Sequence, residues 1–118
     1  MKRDINLFIQ DILESIGLIE DYTKGINKEE FLNKDNNLQM KDAILRRLEV
    51  IGEAVKNIPE DFKNQYSDVP WKKIAGMRDI LIHEYFGVML GRVWKTAKDD
   101  LPELKEKILK ILEEIKNQ

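Results

Sequence analysis

The sequence predicts an all-α protein: an up-and-down, antiparallel bundle of about five helices, forming a single domain over residues 1–118. Three observations carry this. Apolar residues recur at three- and four-residue spacing along most of the chain. No convincing run alternates apolar and polar residues as a half-buried strand does. The periodic segments are joined by short connections, which set neighbouring helices antiparallel.

The first helix is expected to start near Asp4, a suitable N-cap, and to bury Ile5, Phe8, Ile9, Ile12, Ile16 and Ile19 as one stripe. Thr23-Lys24-Gly25 stops it, with Gly25 suited to the left-handed position. Asn27-Lys28-Glu29-Glu30 then reads as a capping box opening a short helical turn with Phe31 and Leu32. The second long helix runs from about Leu38 to Asn57, with Ile44, Leu48, Ile51, Val55 and Ile58 inward. Asp42, Arg46, Glu49, Glu53 and Lys56 lie on its opposite side, and Pro59 ends it. A short helix over Glu60 to Tyr66 turns Phe62 inward. Pro70-Trp71 opens the third main helix, with Ile74, Met77, Leu81 and Tyr85 on one face and an end near Gly87. A fourth covers about Val88 to Lys98, despite Gly91. A fifth covers about Pro102 to Lys116, with Pro102 in a first turn that does not need its N–H.

The chain of 118 residues is 42% hydrophobic and 36% charged, enough for one core under a densely charged surface. It has no cysteine, which excludes disulfides, thiolate metal sites and cysteine nucleophiles. No apolar run approaches the roughly 20 residues of a membrane span, so a soluble, cytoplasmic protein with no membrane association is expected. The net charge of −2 argues against indiscriminate nucleic-acid binding. Residues 38–98 nevertheless hold 11 basic against 8 acidic side chains, so the middle of the chain is mildly basic.

The chemistry concentrates in Arg78-Asp79-Ile80-Leu81-Ile82-His83-Glu84-Tyr85, which contains the only histidine. Arginine forks onto phosphate oxygens. Histidine moves protons near neutral pH. A tyrosine hydroxyl donates a hydrogen bond or accepts a transferred group. On an ideal helix Arg78 and Tyr85 lie about 20° apart, whereas Arg78 and His83 lie about 140° apart. Asp79, four residues before His83, is placed to orient the imidazole. One helix therefore aims Arg78 and His83 poorly at a shared phosphate, and a two-fold homodimer that pairs two such helices is expected to complete the site. The same residues also suit plain structural roles: a hydrogen-bonded histidine, an Arg78–Glu53 ion pair and a core tyrosine.

The pattern Arg78-x4-His83-x-Tyr85 resembles the signature of the HepT-like toxins, a branch of the HEPN superfamily of helical ribonucleases. The segment Arg46 to Pro59 is similar to that family's second helix, and Pro70 to Arg78 to its approach to the motif. His83 to Val88, Val93-Trp94 and Asp100-Leu101-Pro102 continue the likeness over nearly the whole chain. The resemblance implies a toxin that cleaves RNA without metal or other cofactor, by attack of a 2′-hydroxyl on the adjacent phosphate. It implies His83 as general acid or base, Arg78 as stabiliser of transition-state charge, and Asp79 in support. It also implies a partner, a minimal nucleotidyltransferase antitoxin that attaches AMP to Tyr85 and so silences the site. One departure is Met89, where many relatives carry an acidic residue shortly after Val88. The alternative is a non-catalytic helical adaptor or nucleotide-binding partner of the nucleotidyltransferase.

Outside the motif, Arg46 and Glu53 share a helix face and are candidates to border an RNA cleft, or to form an ordinary surface or interhelical ion pair. Lys72 and Lys73 are candidates to hold backbone phosphates. Trp71 and Trp94 suit core packing better than base stacking. No acidic cluster has metal-ligand spacing, and no metal is expected.

Overall fold

The computed structural model describes residues 4–33, 35–76 and 90–117, and every element assigned among them is helical. The first helix, α1 (Ile5–Thr23), begins where the Asp4 side chain accepts a hydrogen bond from the Asn6 N–H at 2.9 Å. Ile9, Ile12, Ile16 and Ile19 are fully buried, while Ile5 and Phe8 are partly so. It ends as Thr23 turns its hydroxyl back to the Ile19 carbonyl at 2.9 Å and Gly25 takes φ 85°. Glycine is suited to that left-handed conformation because it has no Cβ.

The short helix α2 (Lys28–Leu32) is capped by Asn27, whose side chain accepts from the Glu30 N–H at 2.8 Å. Phe31 is driven into the core. The turn into α3 (Leu38–Asn57) passes through Asn37 at φ 57°, another left-handed residue, and Asn37 makes no side-chain cap bond. Lys41 is buried in the first turn of α3. Its ammonium donates to the Asn33 carbonyl and sits 5.7 Å from the centre of the Phe31 ring. This ties the α2–α3 connection down from beneath.

α3 packs along α1 and buries Ile44, Leu48, Ile51 and Val55 at the expected spacing. Pro59 then leads into α4 (Glu60–Gln65), where Phe62 is half-buried and meets Tyr66 in a tilted contact with ring centres 4.9 Å apart. Residues 71–76 are helical and are called α5. The expected continuation through Met77, Leu81 and Tyr85, and the stop at Gly87, lie outside the described residues.

The C-terminal part differs from the expectation of two helices with a break between them. α6 (Leu90–Lys95) runs without interruption into a π-helical turn (Thr96–Asp100) and on into α7 (Leu101–Lys116). The Leu101 N–H reaches back five residues to the Thr96 carbonyl. Pro102 explains the wider turn: it has no N–H, and its ring would crowd the carbonyl four residues earlier in a regular helix. α6 rests on α2, with the Phe31 and Trp94 rings in tilted contact, their centres 5.1 Å apart. α7 rests on α1, with Lys105 bonded to Glu20 at 2.9 Å. One core runs through all these elements, from Ile9 to Ile111.

Candidate nucleic-acid interface

Arg78, Asp79, His83 and Tyr85 lie outside the described residues, as does Met89. The structure does show the ground on which the segment 78–85 starts. That ground is the turn 66–70 and helix α5, and it is fixed by Trp71. The Trp71 side chain is buried, and its indole N–H donates to two carbonyls, Lys63 at 3.1 Å and Tyr66 at 3.0 Å. The core reading of Trp71 therefore holds. These two bonds fasten the start of α5 to the end of α4. Val69 and Ile74 are buried beside it. The Lys107 ammonium holds the Asp68 carbonyl from α7 at 2.8 Å.

With Trp71 and Ile74 facing inward, helical geometry turns Lys72 and Lys73 outward, and both are exposed. They do not stand alone. An open hollow of about 450 Å³ lies between the end of α3, α4 and the start of α5. Lys56, Lys63, Lys72 and Lys73 line it, with Glu60 as its single acid and Asn64 and Ser67 as neutral hydrogen-bonding groups. None of these four lysines forms an ion pair among the described residues. Ammonium groups gathered along a concave surface attract polyanions.

The other two cleft candidates are placed differently. Arg46 forks toward Glu49, one turn along α3, at 3.2 Å on an exposed surface. Such a pair contributes a few tenths of a kcal/mol, roughly. Glu53 accepts from the Asn57 amide at 3.5 Å through its carboxylate and at 2.8 Å through its carbonyl. Neither residue lines the lysine hollow. Lys72 and Lys73 are thus brought together with Lys56 and Lys63, not with Arg46 and Glu53. Lys56 and Lys63 were not expected at a site. Six residues, Pro59 among them, separate the two and break the helix, so no helical projection relates them.

A second, smaller hollow of about 50 Å³ lies behind α5, lined by Pro70, Lys73, Ile74, Leu101 and Leu104 among others. Trp94 is half-buried, packed between Phe31 and the Lys98 ammonium, which lies 5.1 Å from its ring centre. It is not presented for base stacking. Among the described residues no three acidic or histidine side chains gather as metal ligands, and no helix is long and apolar enough to cross a membrane.

Comparison with known proteins places this sequence in a wider group. Residues 12–111 match the family described as Ribonuclease HepT-like. A probable ribonuclease HepT of Thermococcus cleftensis is 50% identical over 111 residues, covering 94% of this chain and 98% of that one. An RNase of Methanocaldococcus jannaschii, named as putative, is 53% identical over 116 residues, covering 96% and 97%. A protein of the same organism, named as a gamma-glutamylcyclotransferase and putative RNase, is 50% identical over 115 residues. This chain aligns over 98% of its own length there but spans only half of that longer protein. No solved structure matches the chain.

Proposed function

Because the chain belongs to the HepT-like ribonuclease family, we propose that it is an endoribonuclease, the toxin half of a toxin–antitoxin pair, and that its catalytic residues are Arg78 and His83. The observation that supports this is the family match over residues 12–111, inside which the sequence keeps Arg78-x4-His83-x-Tyr85 intact.

The chemistry those side chains supply is transesterification. The RNA 2′-hydroxyl gives up its proton to a general base as its oxygen attacks the neighbouring phosphorus. The bond to the 5′-oxygen breaks, and that oxygen takes a proton from a general acid. The products are a 2′,3′-cyclic phosphate and a free 5′-hydroxyl. An imidazole fits either proton-transfer role because its ordinary pKa is near neutrality. A guanidinium fits the phosphorane-like charge through paired N–H donors. Asp79, at the i+4 spacing before His83, orients the ring. Two copies of the chain, paired across the motif segments, complete the site.

Tyr85 is the switch in this reading. A nucleotidyltransferase partner transfers AMP to its hydroxyl, with pyrophosphate leaving if ATP is the donor. The added phosphodiester brings negative charge and bulk beside Arg78 and His83, which neutralises the arginine and blocks RNA.

The deciding experiment is expression of wild type and His83→Ala without the partner, with growth and RNA integrity followed in both. Wild type is expected to arrest growth and fragment RNA, and His83→Ala to do neither. Identical behaviour with intact RNA defeats the enzyme reading and leaves a helical adaptor in its place. Co-expression with the nucleotidyltransferase is expected to raise the intact mass by AMP, an increment that Tyr85→Phe abolishes. Light scattering is expected to give a dimer at micromolar concentration.

A further inference from the structure

The lysine-lined hollow is assembled from three elements that the motif does not include: the end of α3, α4 and the first turn of α5. We propose that it is a track for the phosphate backbone of RNA, holding the strand to one side of the bond that is cut. This rests on the ribonuclease reading for its substrate, but the residues and the binding are its own.

Three features favour a nucleic-acid backbone over an acidic protein. First, the hollow combines four lysines with Asn64 and Ser67 and only one carboxylate, Glu60. Lysine, serine and asparagine are side chains that contact phosphate and sugar without reading sequence. Second, its exposed apolar surface is limited to Pro70 and the half-buried Ala75, with no large aromatic or aliphatic side chain presented as an anchor. Trp71 in its wall is buried with its N–H already committed, and Val69 is buried too. Protein interfaces are centred on such anchors and depleted of lysine. Third, Ala75 lines the hollow, and Arg78 follows it by three residues. A strand in the hollow therefore lies against the chain that leads, in sequence, into the motif.

Open lysines bind a flexible strand by charge alone. The expected binding is therefore tolerant of sequence and steeply dependent on salt. For a single strand the logarithm of affinity falls with the logarithm of salt by about 0.7 per phosphate neutralised.

The test separates binding from cleavage. A fluorescently labelled 2′-O-methyl oligoribonucleotide, which has no free 2′-hydroxyl to attack, is titrated with the full-length chain across a salt series. Changing Lys56, Lys63, Lys72 and Lys73 together to Gln is expected to weaken binding at least tenfold at low salt and to lower the salt slope by about 2–3. The control changes Lys24, Lys28, Lys110 and Lys116 to Gln, an equal loss of charge at exposed positions outside the hollow. It is expected to keep the wild-type slope. Circular dichroism checks that both variants fold. The double change of Lys72 and Lys73, both exposed, provides a milder variant expected to remove about half of the effect.

Equal losses in groove and control variants mean diffuse charge and overturn the proposal. So does unchanged binding in the groove variant, failure of wild type to bind the probe, or tighter groove-dependent binding of polyglutamate than of the oligonucleotide. Intact groove binding with no cleavage of ordinary RNA defeats the ribonuclease reading and leaves the track standing.

Discussion

Two carbonyls depend on one indole. Trp71 serves both Lys63 and Tyr66 from a buried position. Trp71→Phe keeps an aromatic ring but leaves both acceptors to find water in a packed wall. A loss of about 2 kcal/mol is expected in urea unfolding, together with weaker binding of the RNA probe, because the lysine pairs on either side lose their common anchor. Gly91 points the other way. A Cβ built there meets only the Leu32 Cδ2 at 3.9 Å, an ordinary contact, and the backbone is helical. Gly91→Ala is therefore expected to raise stability by up to about 1 kcal/mol, read as a higher midpoint in the same experiment. The Tyr66 hydroxyl is held above its usual pKa, first by burial and then by the Glu114 carboxylate. A folded-state pKa raised above the unfolded one gives stability that is complete below about pH 10 and lost as the pH rises through the folded value. Wild type is expected to show that alkaline loss, and Tyr66→Phe to lack it.

Helix by helix, the spacing of apolar residues was a sufficient guide wherever a helix had one wet and one dry side. α1, α3 and α7 expose and bury the residues that a 3.6-residue period dictates. Asp4 and Asn27 were legible as caps because their side chains act on N–H groups two or three residues away. Gly25 was legible as a stop for the same local reason. Gly25→Ala is expected to cost about 1 kcal/mol, since alanine tolerates φ 85° poorly while its added Cβ meets nothing. Contacts between distant residues were harder to see. Lys41 looks like a surface residue at the head of α3, and only the fold of the α2–α3 connection supplies the carbonyl and ring that let it be buried. The π-helical turn was read as a break because Pro102 suits the first turn of a new helix, where its missing N–H goes unneeded. Nothing local distinguishes a helix that stops before a proline from one that widens to admit it.

At the scale of the molecule, the candidate site was half legible. Lys72 and Lys73 adjoin the motif in sequence and were singled out for that reason. Lys56 and Lys63 were not, because Pro59 and the turn 66–70 bend the chain back to bring three elements together, a relation that no single periodicity encodes. Arg46 and Glu53 were grouped by helical projection, yet Arg46 pairs with Glu49 and neither lines the hollow. Charge also acts differently at this scale. Among the described residues, the ion pairs Arg46–Glu49, Lys105–Glu20 and Lys107–Glu103 are exposed or partly so, and each contributes little to folding. High salt is therefore expected to leave the melting temperature nearly unchanged while it strips the RNA probe from the hollow. Differential scanning fluorimetry and anisotropy on one sample check both.

The surplus residue at 96–100 and Pro102 each make sense only in the presence of the other. Delete one residue from that turn and the proline falls inside an unbroken α-helix, where it costs roughly 3 kcal/mol. Replace the proline and the extra residue loses its reason to be kept. Insertion and proline are therefore expected to be inherited as a unit, appearing and vanishing together when lineages are compared across this stretch.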